Sequence, residues 1–297
     1  MEGTIHDITF VNTKLLTYDN DIIIIPNSIM GNAIIYNFSL NDIRRIVLEV
    51  GISYKANSEN VRKTIAKTIN ADPSEIVFTS GGSESNSLAV DGFVSANNDY
   101  DVVCSPICHS SILRNMNVER HLNCDKDGFI FLNEINIDKN TLYCIDYVNN
   151  EIGCIQNIKD LSKLIHKNDK NILFVDAVQA FCKIDIDVKE LGIDMLSASA
   201  HKIGGLQGVG FLYVKNGINI NPIIHGTQEN GVRGGTYSSM LIKSFGLAVE
   251  KSLEKKENIW TIKNKRDFFI EELSKIDGVK LNGSIFNRIY NNINIRI

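Results

Sequence analysis

The sequence predicts an α/β fold, a mainly parallel sheet flanked by helices, and three observations predict it. Apolar segments such as Ile76-Val77-Phe78-Thr79, Leu142-Tyr143-Cys144-Ile145 and Leu173-Phe174-Val175-Asp176 are continuous rather than alternating, as strands covered on both faces are. Segments of helical period separate them. Polar residues gather just past the apolar segments, which places a site at the carboxyl edge of the sheet. A length of 297 residues suits one large domain with a smaller companion. The expected division is 1–15 as an amino-terminal segment, 16–256 as the large domain and 257–297 as an incomplete small domain.

Element by element, Ile8 to Val11 and Ile22 to Ile25 read as short strands, with Asn12, Asp19-Asn20-Asp21 and Pro26-Asn27 as turn signals. Ile43, Ile46, Val47 and Val50 mark an amphipathic helix capped by Asn41. A second helix, Ser58 to Ile69, puts Val61, Ile65 and Ile69 on one face and stops at Asp72-Pro73. The strand Glu75 to Ser80 then runs into Gly81-Gly82-Ser83-Glu84-Ser85-Asn86 and the apolar Leu88-Ala89-Val90. Backbone amides at such a strand, glycine turn and helix start suit an anion. Taken alone, the two glycines equally make a plain tight turn, and without a following Gly-Lys-Ser/Thr this is not a Walker loop.

Farther on, Asp101-Val102-Val103-Cys104 is a strand leading to His109, and Leu142 to Ile145 is a strand ending at Asn149-Asn150-Glu151-Ile152-Gly153. A helix from Ile158 to His166 precedes the strand that ends at Asp176, with Gln179 beyond it. Asp194 to Ser197 is short and delivers Ser197-Ala198-Ser199-Ala200-His201-Lys202-Ile203-Gly204-Gly205; Gly208 to Val214 is apolar and β-branched. After the glycine-rich loop His225 to Thr236 come a helix from Ser239 to Lys255 and another from Ile259 to Ile276 carrying Trp260, Ile262, Phe268, Phe269 and Leu273. Val279 to Leu281 and Asn292 to Ile295 close the chain as short strands.

Composition narrows the partners. With 31 basic and 35 acidic residues the net charge is -4, so no broad basic field invites nucleic acid or anionic membrane, and a small molecule is the expected partner. The amino terminus lacks a basic stretch followed by an apolar one, and no apolar run approaches the roughly 20 residues of a membrane span. Six cysteines scattered through strands and loops read as reduced thiols of a cytoplasmic protein. Cys104, Cys108 and His109 would need a fourth ligand to hold zinc, and no second closely spaced Cys/His pair exists, so no metal is expected.

The chemistry centres on Lys202 and Asp176. A lysine amine in a partly dry site can form a Schiff base with an aldehyde, and a carboxylate at the far end of a bound pyridine ring keeps its nitrogen protonated. The run of small residues before Lys202 and the glycines after it make a poor helix and an awkward strand, so a tight loop positions the lysine.

Four motifs, Ile76 to Asn86, Asn149 to Gly153, Val175-Asp176-Ala177-Val178-Gln179 and Ser197 to Gly205, occur together in one order, and through them the chain resembles the class V aminotransferase group of pyridoxal-phosphate enzymes. Within it the chain is similar to the cysteine desulfurases, over about Ser58 to Ala248. The resemblance implies the large domain of a fold type I pyridoxal-phosphate transferase, with Lys202 as Schiff-base lysine, Asp176 on the pyridine nitrogen and His109 stacked on the ring. It implies Gln179 and Asn150 near the phenolic oxygen, and Gly82, Ser83, Ser199 and His201 on the phosphate, with Thr236 reaching across from a second subunit of a homodimer. The implied activity removes sulfur from L-cysteine, giving alanine and a persulfide for a sulfur-acceptor protein, as in iron–sulfur cluster assembly. Two family motifs are missing: the amino-terminal Asp-Asn/Tyr-Ala-Ala-Thr is not recognisable around Phe10-Val11-Asn12-Thr13, and no Asn-Pro-Ser-Ser-x-His follows. At Ile297 the family would be entering the small domain that carries its nucleophilic cysteine loop and its carboxylate-binding arginine. A companion subunit supplying that cysteine, another amino-acid lyase or epimerase reaction, and a degenerate dimeric scaffold are the alternatives.

Overall fold

The computed structural model describes residues 2–17, 19–37, 58–254 and 258–297. Contacts cluster into two units, Met1–Gly51 and Ile52–Ile297, a division farther along the chain than the one expected after residue 15. The helix expected from Asn41, with Ile43, Ile46, Val47 and Val50, lies outside the described residues.

In the first unit β1 (Thr4–Ile8), β2 (Asn12–Leu16) and β3 (Ile22–Pro26) form an antiparallel sheet in that order, followed by the single turn α1 (Asn27–Met30). The strand expected from Ile8 to Val11 is instead the end of β1 and the hairpin turn. The Thr9 amide and hydroxyl both donate to the Asn12 carbonyl at 2.8 and 2.9 Å, and the Asn12 amide donates back to Thr9 Oγ1 at 3.0 Å. A threonine side chain that satisfies turn backbone outweighs the strand preference of Phe10-Val11.

Among the described residues the second unit begins with α2 (Ser58–Thr68), which buries Val61, Ile65 and Ala66. Asp72 then caps the next turn, accepting from the Ser74 amide while Glu75 accepts from the Asp72 amide, and Pro73 enters without a donor to lose. In order follow β4 (Ile76–Thr79), α3 (Gly82–Ser87), α4 (Phe93–Ala96), β5 (Asp101–Cys104), α5 (Ser110–Leu113), β6 (Arg120–His121) and β7 (Thr141–Asp146). Beyond them lie α6 (Ile158–Ile165), β8 (Ile172–Asp176), α7 (Val188–Leu191), β9 (Met195–Ser199) and β10 (Gly210–Val214). The helices α8 (Ser239–Glu254) and α9 (Ile259–Ser274) and the paired strands β11 (Lys280–Leu281) and β12 (Ile295–Arg296) complete it. Between α3 and α4 the helix widens into a π turn over Leu88–Gly92, so the helical backbone is continuous from Gly82 to Ala96.

Among the described residues the main sheet has seven strands in the order β4-β10-β9-β8-β7-β5-β6. Only β10 runs against its neighbours β4 and β9. It follows β9 through a short loop with no crossover helix, and such a connection returns antiparallel. Side chains alternate between two apolar clusters. Phe78, Tyr143, Ile145, Leu173, Val175 and Phe211 pack on one face with Val61, Ile65 and Phe245. Val77, Leu142, Cys144, Phe174 and Leu212 pack on the other with Leu88 and Phe93. Burial on both faces is why these strands are continuously apolar, each large side chain contributing about 1.5–3 kcal/mol.

The last expected helix is present as α9, and most of the apolar residues named on it face solvent. Trp260, Phe268 and Phe269 are 72%, 63% and 54% exposed, and α9 buries Ile270 and Arg266 instead. The Arg266 guanidinium donates to the carbonyls of Arg288 and Ile289 at 2.9 and 2.7 Å, satisfying a buried cation through backbone oxygen. Among the described residues no helix is long and apolar enough to cross a membrane.

Candidate active site

The carboxyl ends of β4, β5, β7, β8 and β9 point the same way, and the segments leaving them surround a cavity of about 220 Å³. At the end of β4, Gly81 has φ +153°, a conformation that side chains disfavour. A Cβ on Gly82 would lie 2.7 Å from Val178 Cγ2, on the cavity wall. Glycine thus lets the first turn of the helix, whose amides have no helical acceptors, approach the cavity closely.

At the end of β9, Ala200–Ile203 make one 3-10 turn that ends at Gly204 with φ +86°. This turn sets His201 and Lys202 at the cavity rim, both exposed. The buried Ser199 hydroxyl lies 2.7 Å from His201 Nδ1, and burial followed by repulsion from Lys202 lowers the proton affinity of His201.

Asp176 ends β8 on the cavity floor, with its side chain fixed from two sides. The Val178 amide donates to Oδ1 and Asn86 Nδ2 donates to Oδ2, both at 2.9 Å. Burial pushes the Asp176 carboxyl upward in pKa, the nearby Asp146 adds to this, and the two hydrogen bonds and His109 oppose it. The same Asn86 amide group donates to Ser111 Oγ at 2.8 Å, and that oxygen is 2.8 Å from His109 Nδ1. The Ser111 amide also donates to His109 Nδ1, at 3.2 Å, so this network assigns Nδ1 as acceptor and leaves the ring proton on Nε2. The imidazole is therefore oriented through Ser111 and Asn86 from the same carboxylate that forms the floor.

Asn149 and Asn150 leave β7 in different roles. Asn149 is buried, donating to the Ile107 carbonyl at 2.7 Å and accepting from the Glu151 and Ile152 amides, whereas Asn150 is exposed on the cavity. Gln179 lines the cavity as well, and its Oε1 accepts from Lys183 Nζ at 2.9 Å. Burial and then repulsion by Lys202 push the Lys183 amine down to about 8.

Of the residues singled out from sequence, Gly82, Ser83, His109, Asn150, Asp176, Gln179, His201 and Lys202 line this one cavity. Ser199 stands behind His201. Thr236 lies apart, in a hollow lined by Phe78, Thr79 and Tyr237. Its loop is anchored by two ion pairs: Arg233 to Glu84, at 2.6 and 3.1 Å, and Arg62 to Glu229, at 2.9 and 3.1 Å. Arg233 is thus committed to a carboxylate of this chain. Sequence reasoning missed Asn86, Ser111, Asp146 and Lys183; only the placement of the first three just past or at strand ends hinted at them. A larger cleft, about 710 Å³, lies at the opposite end of the strands near Ile76 and Val214, away from this chemistry. Among the described residues no cluster of His, Cys, Asp and Glu could hold a metal ion.

The cavity joins a reachable amine, a buried carboxylate, an oriented imidazole and a glycine-opened helix start. Buried Asn86 Oδ1 and Asp146 Oδ2 beside it have no hydrogen-bond partner. This set fits pyridoxal phosphate, which Lys202, Asp176, Gly82, Ser83 and His201 could hold. Fold and site together define a fold type I domain suited to pyridoxal phosphate. Consistent with this, the family model Aminotransferase class-V matches residues 29–296, and the chain belongs to that family. A second model, Mechanosensitive ion channel, beta-domain, matches residues 1–40.

The chain is similar to a cysteine desulfurase IscS of Dictyoglomus turgidum, 41% identical over 252 residues, which are 80% of this chain and 64% of that protein. It therefore spans less than two thirds of that relative's length. A solved structure titled NifS-like protein aligns with a TM-score of 0.77 at 29% identity, covering 81% of this chain and 70% of that one. Another, SspA in complex with cysteine, aligns at 0.69 and 33% identity, covering 80% and 70%.

Proposed function

We propose that the chain is the cofactor-binding part of a cysteine desulfurase, removing sulfur from L-cysteine to give alanine and a persulfide. The observation that carries this reading is the single cavity onto which Lys202, Asp176 and His109 converge from three different strand ends, in a chain 41% identical to a cysteine desulfurase. When bound, pyridoxal phosphate supplies an aldehyde carbon for the substrate amine and an electron-withdrawing ring. Lys202 would hold it covalently and, once displaced, serve as a base above the cavity. Asp176 would keep the ring nitrogen protonated, and His109, with Nδ1 held by Ser111, would present Nε2 to move a proton at the ring's face.

In the net reaction a thiol RSH takes the cysteine sulfur as RSSH, the C–S bond breaks, and the carbon gains hydrogen as alanine. The cysteines of this chain nearest the cavity do not suit the thiol's role. Cys108 is buried, its Sγ donates to the Cys144 carbonyl at 3.5 Å, and burial pushes its thiol well up. We therefore assign the sulfur-accepting thiol to a companion subunit or to sequence beyond this chain. In the same reading Thr236 serves the phosphate of a second copy in a homodimer, residues 257–297 belong to a smaller domain, and the setting is the cytoplasm.

The test is a visible spectrum with pyridoxal phosphate, then with L-cysteine, while alanine and sulfide are assayed and a thiol protein acceptor is added in a parallel tube. A cofactor band with alanine formed when the acceptor is present, and sulfide released on adding a dithiol reductant, supports the reading; the same products without the acceptor support desulfuration but place the thiol within this chain. A band that cysteine changes without either product, acceptor present, favours lyase or epimerase chemistry. No band points to a scaffold.

A further inference from the structure

Asp146 is a second carboxyl on the floor of the same cavity, and its placement follows from sheet register. It stands opposite Asp176 on the neighbouring parallel strand, so both side chains leave the same face at adjacent strand ends. Asp146 is 4% exposed and lines the cavity. The two carboxyls are treated unequally. Asp176 accepts from an amide N–H and from Asn86, both at 2.9 Å. Asp146 Oδ1 receives the weak Cys108 S–H donor at 3.6 Å, shared with the Cys144 carbonyl, with the Ser105 hydroxyl near enough to favour the charged form, and Oδ2 has no partner. Ser105 and Asn149 lie close by, but Asn149 is committed to Ile107, Glu151 and Ile152.

We propose that Asp146 is a positioning residue that carries a proton at neutral pH, so that the Asp146–Asp176 pair holds one negative charge and that charge stays on Asp176. Two buried carboxylates on adjacent strands repel strongly, and the proton settles on the one with poorer donors. The groups facing Asp146 do not reverse this. Cys104 of β5, Cys108 beyond it, Cys124, Cys154 and Asp176 all interact with it as acidic groups, while the Lys202 amine and the imidazoles of His201 and His109 are exposed at the rim. Desolvation acts in the same direction on Asp146 itself. Protonated, Asp146 would leave Asp176 as the charged carboxylate of the pair to hold the ring nitrogen, an assignment that rests on the cofactor reading above.

The first measurement uses the native chain without cofactor: infrared spectroscopy at neutral pH, where a protonated carboxyl shows a carbonyl stretch that shifts in heavy water. We expect this band in the native protein and its loss in Asp146→Asn; a native spectrum without it overturns the proposal, whether or not the variant folds. The second is thermal unfolding against pH. A carboxyl whose folded pKa is raised above its unfolded value costs the native chain stability as pH rises between the two, a cost the amide variant escapes. Asp146→Asn should therefore gain on the native protein by about 3 °C per pH unit across that window. A gap that is flat with pH overturns the proposal. The third loads both proteins with pyridoxal phosphate: the variant should lose one ionisation from the pH profile of visible absorbance, and identical profiles count against the pair. The first two need neither cofactor nor turnover, so the pair and the desulfuration reading can fail separately.

Discussion

Replacing Asn86 by Ala removes the side chain that joins the floor of the site to its imidazole. Asn86 is 1% exposed and donates at 2.9 Å to Asp176 and at 2.8 Å to Ser111. A hydrogen bond to a charged group contributes about 1.5–3 kcal/mol and one between neutral groups about 1. Against these stands Asn86 Oδ1, buried without a partner, whose removal returns about 1 kcal/mol. The expected net loss is about 2 kcal/mol of unfolding free energy at neutral pH. Its pH dependence identifies the charged partner. Asn86 stabilises the ionised form of Asp176, so Asn86→Ala raises a folded pKa that burial has already raised. In acid, with Asp176 protonated in both proteins, this part of the loss is absent; it opens as pH climbs past the native folded pKa and is complete above the variant's. Urea unfolding at a series of pH values, compared at constant slope, reads the difference directly. A loss of the same size at every pH would refute the reasoning, because Asp176 would then not be the ionised acceptor.

Other expectations follow from the same contacts. Lys202→Ala should abolish the borohydride-reducible adduct with pyridoxal phosphate, checked by peptide mass spectrometry; Lys183, whose amine is pushed down to about 8, is the place to look for a stray adduct. A native adduct on Lys183 rather than Lys202 would reassign the lysine. Gly82→Ala puts a Cβ 2.7 Å from Val178 Cγ2, so cofactor affinity should fall about tenfold or more while the fold persists, measured by absorbance titration. Arg233→Met strips Glu84, whose side chain is 10% exposed, of a bidentate partner and should cost about 2 kcal/mol, between exposed and buried pairs; adding Glu84→Gln should recover part of it. Phe211→Ala opens the contact of Phe211 with Phe181 and Phe245, at 5.1 and 6.0 Å, and should cost about 3–5 kcal/mol in denaturant unfolding.

What was legible in the sequence was local. A strand buried on both faces must be apolar throughout, so β4, β5, β7 and β8 stood out as continuous runs, and the turns after them displayed Gly82, Asp176 and Lys202 together with their chemistry. Two-residue β6 carried too little pattern to see, and Phe10-Val11 looked like a strand because apolar composition alone does not report a side-chain-bonded turn. The aromatic residues of α9 marked a helix, yet periodicity states that a face is apolar and not what covers it. The partnerships inside the site were decided only by tertiary structure. Asn86, Ser111 and His109 meet because α3 and α5 follow strands that the sheet order brings near β8, and Asp146 meets Asp176 because β7 and β8 pair in that register. Sequence by itself determined which residues have the chemistry to act, since that resides in side chains and their immediate turns. Which buried donor reaches which carboxylate, and so which carboxyl keeps its charge, depends on strand order and register, contacts between residues far apart in the chain that no local pattern encodes.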